Sequence, residues 1–324
     1  MRGWFDVHAH PGQLHVSAGG SHHPAIGAQR REYAAAEFSA AGLAAVSFST
    51  VSDSLLLGVR ADGNLGSLRS FEAGEAYAEH KRQLSAMTAY SEAAGMPIMR
   101  SADDVDAARE DGRTRMMLSC EGAHFVEHEW ERLDEAHEIG VRTICLVHYH
   151  QNEYGDVQTA PPAHGGLTDA GARLVREMNR LGLLIDLAHA THQTTMDVLR
   201  RSSDPVMISH THLDRARREH PRLVSREHAR AVAEAGGLVG AWPSGFSSES
   251  LADFVGEIAR LVDAVGVDHV GVGTDMDGNY RPVLSEYEQF QEVASSLAAM
   301  GFASDEVDAI LGGNAIALIR RVCD

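Results

Sequence analysis

Two histidines near the start of the chain are the first residues whose spacing could do chemistry. His8 and His10 are two apart at the end of the strand-like run Trp4 to His8. Residues two apart on a strand point to the same side, so both imidazoles could bind one cation. The chain has 19 histidines, and a single pair of this kind is more often packed or solvated than a pair of ligands.

Ligand-type side chains recur where later strand-like runs end. The five further positions are Glu121, His148, His189, His210 and Asp275. A structural histidine or carboxylate has no reason to prefer the ends of strands, whereas barrel enzymes draw their catalytic groups from the C-terminal ends of separate strands. Together with the first pair, this recurrence predicts a metal site.

The donor types indicate which metal the site would hold. Imidazoles and carboxylates without thiolates suit zinc or a similar divalent ion, and two ions fit if one carboxylate bridges them. The three cysteines, Cys120, Cys145 and Cys323, show no Cys-x-x-Cys spacing and are predicted to be small buried residues. Two divalent ions would turn a shared water into hydroxide, and Asp275 is placed to carry its proton to the leaving group.

The elements that must position these residues alternate along the whole chain. Short apolar runs and longer amphipathic stretches follow one another, which is the pattern of βα units over a parallel sheet. The eight strand-like runs are Trp4 to His8, Ala44 to Thr50, Arg115 to Glu121, Arg142 to His148, Leu183 to Leu187, Val206 to His210, Leu238 to Trp242 and His269 to Thr274. We therefore expect an α/β fold, a (β/α)8 TIM-type barrel of the metal-dependent hydrolase type, forming a single catalytic domain over residues 1–324.

Helices and one long loop complete this expectation. The helix candidates are Gly171 to Leu181 with Thr168 as its cap, His192 to Arg201, Ser225 to Ala235, Glu249 to Val265 and Glu286 to Met300. An irregular segment from Pro11 to Arg31 follows the first strand and is predicted to lie over the barrel mouth. Four histidines near that mouth are candidates for donors that orient the ligands: His150, His164, His192 and His212.

Composition narrows the range of partners. Lys and Arg total 28 against 46 Asp and Glu, and the net charge of -18 would repel a phosphate backbone, so nucleic acid is not an expected partner. No apolar stretch approaches the length of a membrane span, and the first residues show no apolar leader. These features predict a cytoplasmic protein without a membrane partner, and they leave a homodimer open.

Several motifs along the chain resemble those of the renal-type (membrane) dipeptidase family of the amidohydrolase superfamily. The most specific are the Glu-Met-Asn-Arg-Leu-Gly run at 177–182 and the Gly-x-Asp-x-Asp-Gly pattern around Asp275. The other matching segments are Asp6 to His10, Cys120 to His124, Leu146 to Asn152, Gly166 to Thr168, Asp186 to His189, Ile208 to His210, Val267 to Gly278 and Gly312 to Asn314. The resemblance covers nearly the whole chain.

The resemblance implies a metal site with a particular division of ligands. One zinc ion would be bound by His8, His10 and Glu121, and Glu121 would bridge to a second ion held by His189 and His210. Family members usually carry His-x-Asp in the first motif, where this chain has His8 and His10. This departure exchanges an anionic ligand for a neutral one, which makes the site more positive.

The resemblance also implies a reaction and the residues around the substrate. A metal-bound hydroxide would cleave the amide bond of a dipeptide or a similar small N-acyl amino acid. His148 would contact the substrate and stabilise the tetrahedral intermediate, and Asp275 would handle the proton. Arg222 would pair with the terminal carboxylate of the substrate, for which a guanidinium fork is well shaped. The family's Arg-Asn-Val run is here Arg222-Leu223-Val224.

Two alternative functions stay open at this point. The same barrel and metals could act on a lactone, a cyclic amide or a phosphoester, because barrel scaffolds host many hydrolytic chemistries. A non-catalytic member would keep the barrel for binding alone.

Overall fold

The computed structural model describes residues 2–16, 32–215 and 220–324. The strands within these ranges are β1 (Trp4–Asp6), β2 (Leu43–Val51), β3 (Leu57–Val59), β4 (Leu65–Ser67), β5 (Arg115–Glu121), β6 (Val141–Cys145), β7 (Leu184–Asp186), β8 (Met207–Thr211), β9 (Leu238–Ala241) and β10 (Val270–Val272). The predicted loop from Pro11 to Arg31 begins with a short 3-10 turn at Pro11–Gln13, and its residues 17–31 lie outside the described residues.

Helices follow most of the strands. They are α1 (Ala35–Ala41), α2 (Glu75–Ala94), α3 (Asp103–Asp111), α4 (Glu131–Ile139), α5 (Asp169–Leu181), α6 (His192–Leu199), α7 (Arg226–Glu234), α8 (Leu251–Val265), α9 (Gln289–Ala299), α10 (Ser304–Asp308) and α11 (Asn314–Cys323). Within the described ranges, no helix is at once long and apolar enough to cross a bilayer.

Eight of the strands in the described ranges close into a parallel barrel. Their order around the barrel is β1-β2-β5-β6-β7-β8-β9-β10, and β10 pairs with β1 to close it. All eight predicted strand-like runs are barrel strands, in the predicted sequence order, with ends that differ by a few residues. The predicted α/β barrel is therefore confirmed.

The C-terminal helix covers one end of this barrel. Ala315, Leu318 and Ile319 of α11 pack against strand side chains from around the barrel. These side chains are Phe5, Val7, Met117, Leu184, Met207 and Leu238. Because several of them begin their strands, α11 seals the N-terminal end of the barrel and leaves the C-terminal end to the functional residues.

Two glycines and one carboxylate fix the strand that carries His210. A Cβ atom at Gly240 or Gly273 would overlap the backbone carbonyl of Ser209, so these positions admit only glycine without displacing β8. The buried carboxylate of Asp186 accepts hydrogen bonds from the Ser209 backbone (2.9 Å) and from the Cys145 thiol (2.9 Å). Neighbouring strands β6, β7 and β8 are thereby joined directly below the mouth.

Local sequence explains the helices that were predicted and those that were not. All five helix candidates are helical, and the hydroxyl of Thr168 caps α5 by accepting a hydrogen bond from Gly171, as predicted. Helix α2 was not predicted from apolar periodicity, because its buried face includes the polar residues Glu79, His80 and Gln83. The β3–β4 hairpin was also not predicted, since its strands are three residues long and stand outside the barrel.

Buried histidines should make the stability of the fold depend on pH. His80 is buried and stacks on Phe125 with 3.8 Å between ring centroids, and burial lowers its pKa from 6.5 to about 3. Below pH 6.5 His80 binds a proton in the unfolded chain, whereas in the folded protein it stays neutral until the pH approaches 3. The contribution of neutral His80 to stability is therefore complete above that pH and is lost as the pH falls towards 3.

We predict that His80→Gln makes the acid-induced loss of stability shallower. Each such histidine should remove about 1.4 kcal/mol of unfolding free energy per pH unit within this window. Urea unfolding of the metal-free protein between about pH 7 and pH 4 measures the slope. His128→Gln is the matched control, because the His128 side chain is 59% exposed. A His80→Gln protein with the wild-type slope would contradict the prediction.

Candidate metal centre and active site

The C-terminal ends of the barrel strands surround a cavity of about 810 Å³. Seven of the eight predicted site residues line it, namely His10, Glu121, His148, His189, His210, Arg222 and Asp275. The eighth, His8, is buried beside them, and its ring stacks on that of His210 with 4.2 Å between centroids. The structure therefore brings all the predicted site residues together at one end of the barrel.

Glu121 lies at the centre of this group, as the last residue of β5. Its carboxylate is 3% exposed and faces the Nε2 atoms of five histidines. The distances to the nearer oxygen are 2.8 Å for His189, 3.3 Å for His148, 3.4 Å for His8, 3.4 Å for His10 and 3.6 Å for His210. One buried anion is thus surrounded by five imidazoles that come from the ends of four strands, β1, β6, β7 and β8.

Two sets of side chains around Glu121 are close enough to hold a metal ion. His8, His10 and Glu121 form one set, and Glu121, His148 and His189 form another, with the ligand atoms of each set within 4.8 Å of one another. Glu121 belongs to both. His210 is in neither of these two sets, although its Nε2 atom also faces Glu121.

The other ring nitrogen of three histidines is held by a polar neighbour. The Nδ1 atom of His10 lies 3.1 Å from the backbone carbonyl of Ser49, and Nδ1 of His210 lies 2.9 Å from the Ser209 hydroxyl. Nδ1 of His148 lies 2.5 Å from the carboxylate of Asp53. A hydrogen bond at Nδ1 fixes the orientation of an imidazole and directs Nε2 to the opposite side. These rings are therefore fixed with Nε2 towards Glu121.

Electrostatics in the site favour an ionised Glu121. Burial opposes ionisation, but the charges of His148 and His8 and hydrogen bonds from His10 and His189 outweigh it and keep the pKa of Glu121 well below its usual range. Burial would likewise lower the pKa of His10. Hydrogen bonds to Asp275 and Glu121 overcome this and raise the pKa of His10 to about 10.

The remaining histidines differ in their preferred charge. Burial, together with the nearby charges of Arg222 and His148, keeps the pKa of His189 well below its usual value. Burial and the neighbouring His8 do the same for the pKa of His210. For His148 the effect of burial is outweighed by Asp53 and Glu121, which raise its pKa. His189 and His210 thus favour neutral rings, which are the form that binds metals.

Two site residues have backbone conformations that side chains with a Cβ atom rarely adopt. His189 has a φ of 67° and Asp275 a φ of 54°, and each lies three residues beyond the end of its strand. Such left-handed residues cost of order 1–3 kcal/mol and cluster at functional sites. Both turns direct side chains back over the barrel mouth.

Asp275 is held on both carboxylate oxygens. One oxygen lies 3.3 Å from Nε2 of His10, and the other accepts a hydrogen bond of 3.2 Å from the indole of Trp242. The backbone N–H of Asp275 donates to the carbonyl of His8 at 2.8 Å. Asp275 therefore lies next to the His8–His10 side of the site in a defined orientation.

Arg222 presents unused donors to the cavity. Its side chain is 1% exposed, and Nη1 donates to the amide oxygen of Gln158 at 2.6 Å. Nε and Nη2 are buried and have no hydrogen-bond partner among the described residues. Because buried guanidinium donors without a partner are costly, this edge is suited to an anion that enters from the cavity.

Sequence reasoning missed residues that support the predicted ones. Asp53 and Trp242 lie just beyond the ends of β2 and β9. The strand-end rule already covers carboxylates and would have found Asp53 in a search three residues past the predicted strand end. It would have found Trp242 only had it included more than metal ligands. Gln158 carries no such signal. Of the four histidines considered as orienting donors, His150 contacts this network through its backbone N–H, which donates to Asp53 at 2.7 Å.

The cysteines take no part in the cation-binding sets. Cys120 and Cys145 are buried, and the thiol of Cys145 donates to Asp186. Cys323, at the other end of the barrel, is partly buried. The donor set of the site therefore consists of imidazole nitrogens and carboxylate oxygens.

Comparison with known proteins finds dipeptidases among the relatives of this chain. The chain is 30% identical over 238 residues to a dipeptidase of Claviceps purpurea, and the aligned region covers 71% of this chain and 56% of that protein. It is 32% identical over 221 residues to a dipeptidase of Aspergillus oryzae, covering 65% and 52%. The chain spans about half the length of these curated relatives.

Solved structures share the fold. A metallopeptidase of Rhodobacter sphaeroides, bound to a phosphinate mimic of the dipeptide L-Ala-D-Ala, superposes with a TM-score of 0.82 at 21% identity, over 98% of this chain and 99% of that one. An amidohydrolase of Pseudomonas aeruginosa superposes with a TM-score of 0.75 at 23% identity, over 97% and 99%.

The family model of the membrane dipeptidases matches residues 49–324. The matched range includes Glu121, His148, His189, His210, Arg222 and Asp275, and it begins after the pair His8 and His10. Since the match extends over well more than half of the sequence, the chain belongs to the membrane dipeptidase family, peptidase family M19.

Proposed function

We propose that this protein is a metal-dependent dipeptidase that hydrolyses the amide bond of dipeptides or similar small N-acyl amino acids. One observation carries the proposal: a single buried carboxylate, Glu121, is surrounded by imidazole nitrogens beside a buried guanidinium, Arg222, with unused donors. The first feature suits cations and the second suits the carboxylate of a small substrate. The dipeptidases among the relatives support the same substrate class.

The residues present fit two divalent ions, for which we propose zinc. Nε2 of His8 is buried without a hydrogen-bond partner among the described residues, as expected of a nitrogen that binds a metal. His8, His10 and Glu121 would hold one ion, and Glu121, His189 and His210 the other. When bound, such ions activate a water molecule and polarise a substrate carbonyl.

We assign His148 to the substrate rather than to a metal, although it lies as close to Glu121 as the ligands do. Its Nδ1 atom faces the carboxylate of Asp53, an arrangement that favours the protonated ring. A protonated Nε2 can donate a hydrogen bond to the oxygen of a tetrahedral intermediate. The neutral ring of His210 is the better ligand.

Asp275 and Arg222 would complete the reaction at opposite ends of the leaving residue. Asp275 would take a proton from the attacking water and give it to the leaving amide nitrogen. The free Nε and Nη2 atoms of Arg222 would bind the terminal carboxylate as a fork.

The single domain over residues 1–324, the cytoplasmic location and a homodimer stay predictions from the sequence.

We predict that the zinc-loaded protein hydrolyses dipeptides and that Asp275→Asn lowers kcat about a hundred- to ten-thousand-fold, because the amide cannot carry the proton. Steady-state assays on Ala-Ala, with a lactone and a phosphoester beside it, measure both effects. Metal content should be unchanged in the variant. Turnover of the lactone or the phosphoester but of no dipeptide would overturn the proposal.

We predict that Glu121→Gln removes most of the bound metal from both sites, because the carboxylate is shared. Elemental analysis after dialysis measures metal per chain. Asp156→Asn is the matched control. Asp156 is as buried as Glu121, but its carboxylate accepts hydrogen bonds from the backbone of Ala163 and Gly166. The Asp156→Asn protein should therefore keep the metal content of the wild type. A Glu121→Gln protein with two ions per chain would refute the shared ligand.

The same measurement separates the roles of two histidines. His210→Ala should lose one ion, whereas His148→Ala should keep both and lose turnover. The opposite result would assign the second site to Glu121, His148 and His189.

We predict that Arg222→Met raises KM for Ala-Ala about thirtyfold, through the loss of charge-assisted hydrogen bonds. With Ala-Ala amide, which lacks the carboxylate, the variant and the wild type should have similar KM values. Arg281→Met is the control, since Arg281 also lines the cavity but is exposed. An equal loss on both substrates would show that Arg222 acts on something other than the carboxylate.

A further inference from the structure

Trp242 touches both of the groups proposed for the ends of the leaving residue. It follows directly on β9 and is 3% exposed. Its indole N–H donates to one oxygen of Asp275 at 3.2 Å, while the ring face lies 5.3 Å from the guanidinium carbon of Arg222. One rigid side chain therefore stands between the proposed proton carrier and the proposed carboxylate anchor.

The contact with Asp275 fixes the direction of its carboxylate. His10 faces the other oxygen at 3.3 Å, so the group is held from both sides. Removal of the indole N–H would leave one of these two restraints and allow the carboxylate to rotate about its last bond. A general base acts efficiently only within hydrogen-bond reach of the proton that it moves.

The contact with Arg222 fixes the plane of the guanidinium. The amide of Gln158 binds Nη1, and the indole ring supports the group through a cation–π contact. These two contacts leave Nε and Nη2 without partners among the described residues. The ring thus orients the edge that would receive the substrate.

Packing leaves the indole little freedom to move. The ring of Phe246 lies 5.6 Å from that of Trp242. Phe246 is itself stacked between His220 at 3.8 Å and Tyr280 at 4.4 Å, with nearly parallel planes. On its inner side the indole meets His210 edge-on at 5.6 Å. Trp242 is therefore held between the ring of Phe246 and the ring of His210.

We propose that Trp242 is a positioning residue that sets the spacing between Asp275 and Arg222 and thereby selects substrates by length. In a dipeptide one Cα atom separates the leaving amide nitrogen from the terminal carboxylate. A residue that holds the proton carrier and the anchor at one fixed separation favours that spacing over a longer one. This inference rests on the proposed dipeptidase activity.

Two substitutions at Trp242 separate its two contacts. Trp242→Phe keeps an aromatic ring beside Arg222 and removes the N–H, so kcat for Ala-Ala should fall about tenfold while KM stays within about twofold. Trp242→Leu removes both contacts. It should also raise KM for Ala-Ala about fivefold. It should lower the preference for Ala-Ala over Ala-β-Ala about tenfold, because Ala-β-Ala has one more carbon before its carboxylate.

Trp4→Phe is the matched control. Trp4 is equally buried and its indole N–H also donates to a carboxylate, that of Asp308 at 3.0 Å, but it lies away from the cavity. The control should keep the wild-type kcat, KM and substrate preference. Wild-type kcat in Trp242→Phe, wild-type preference in Trp242→Leu, or an equal kcat loss in Trp4→Phe would overturn the role of Trp242.

A measurement without turnover distinguishes failure of this inference from failure of the proposed function. In urea unfolding of the metal-free protein, Trp242→Phe should lower the midpoint in the wild-type background but much less in an Asp275→Ala background. An active wild type without this coupling would refute the role of Trp242 alone. An inactive wild type with the coupling intact would refute the proposed function, and the substrate-length role with it.

Discussion

The burial of one negative charge governs the whole mouth of this barrel. A carboxylate that is as inaccessible as Glu121 can remain ionised only if cations or strong donors surround it closely. The barrel meets this requirement by geometry, because parallel strands that close into a ring bring their C-terminal ends to a common centre. Five imidazoles from four strand ends then reach one carboxylate, which a single local motif could not achieve.

A layer of hydrogen bonds behind the imidazoles makes this arrangement specific. Ser49, Asp53 and Ser209 each bind the far nitrogen of one ring, so the near nitrogens cannot turn away from Glu121. Below them, Gly240 allows β9 to approach β8, and Asp186 ties three strands together. The arrangement of imidazoles around Glu121 thus depends on backbone positions that carry no chemistry of their own.

The sequence predicted the parts of this site that follow from strand ends. Both the strands and the ligand types can be recognised in short stretches of sequence. An apolar run followed by a histidine or a carboxylate is visible without knowing which residues pack against it in the fold. Arg222 lies in a loop, and only the family resemblance pointed to it. Trp242 and Gln158 act through contacts with residues that are distant in sequence, and such contacts exist only once the barrel has closed.

Helix α2 shows the same limit at the level of the fold. Its buried face contains charged and polar side chains whose partners come from elsewhere, as where Gln83 binds the backbone of Val51 at the end of β2. Periodicity detects helices that are buried through apolar contacts. It does not detect a helix that is buried through hydrogen bonds.

The presence of a histidine at position 10 can be understood in terms of charge. His8, His10 and Glu121 make a set of two imidazoles and one carboxylate, which is a ligand set that catalytic zinc sites use. Such a set would neutralise less of a divalent charge than one with two carboxylates, so an ion bound there would retain more of its Lewis acidity. In the metal-free protein a proton on Nε2 of His10, between Glu121 and Asp275, supplies positive charge instead, and this is why the pKa of His10 rises to about 10. A metal ion bound at this point would have to displace that proton, so the site would hold a positive charge in either state.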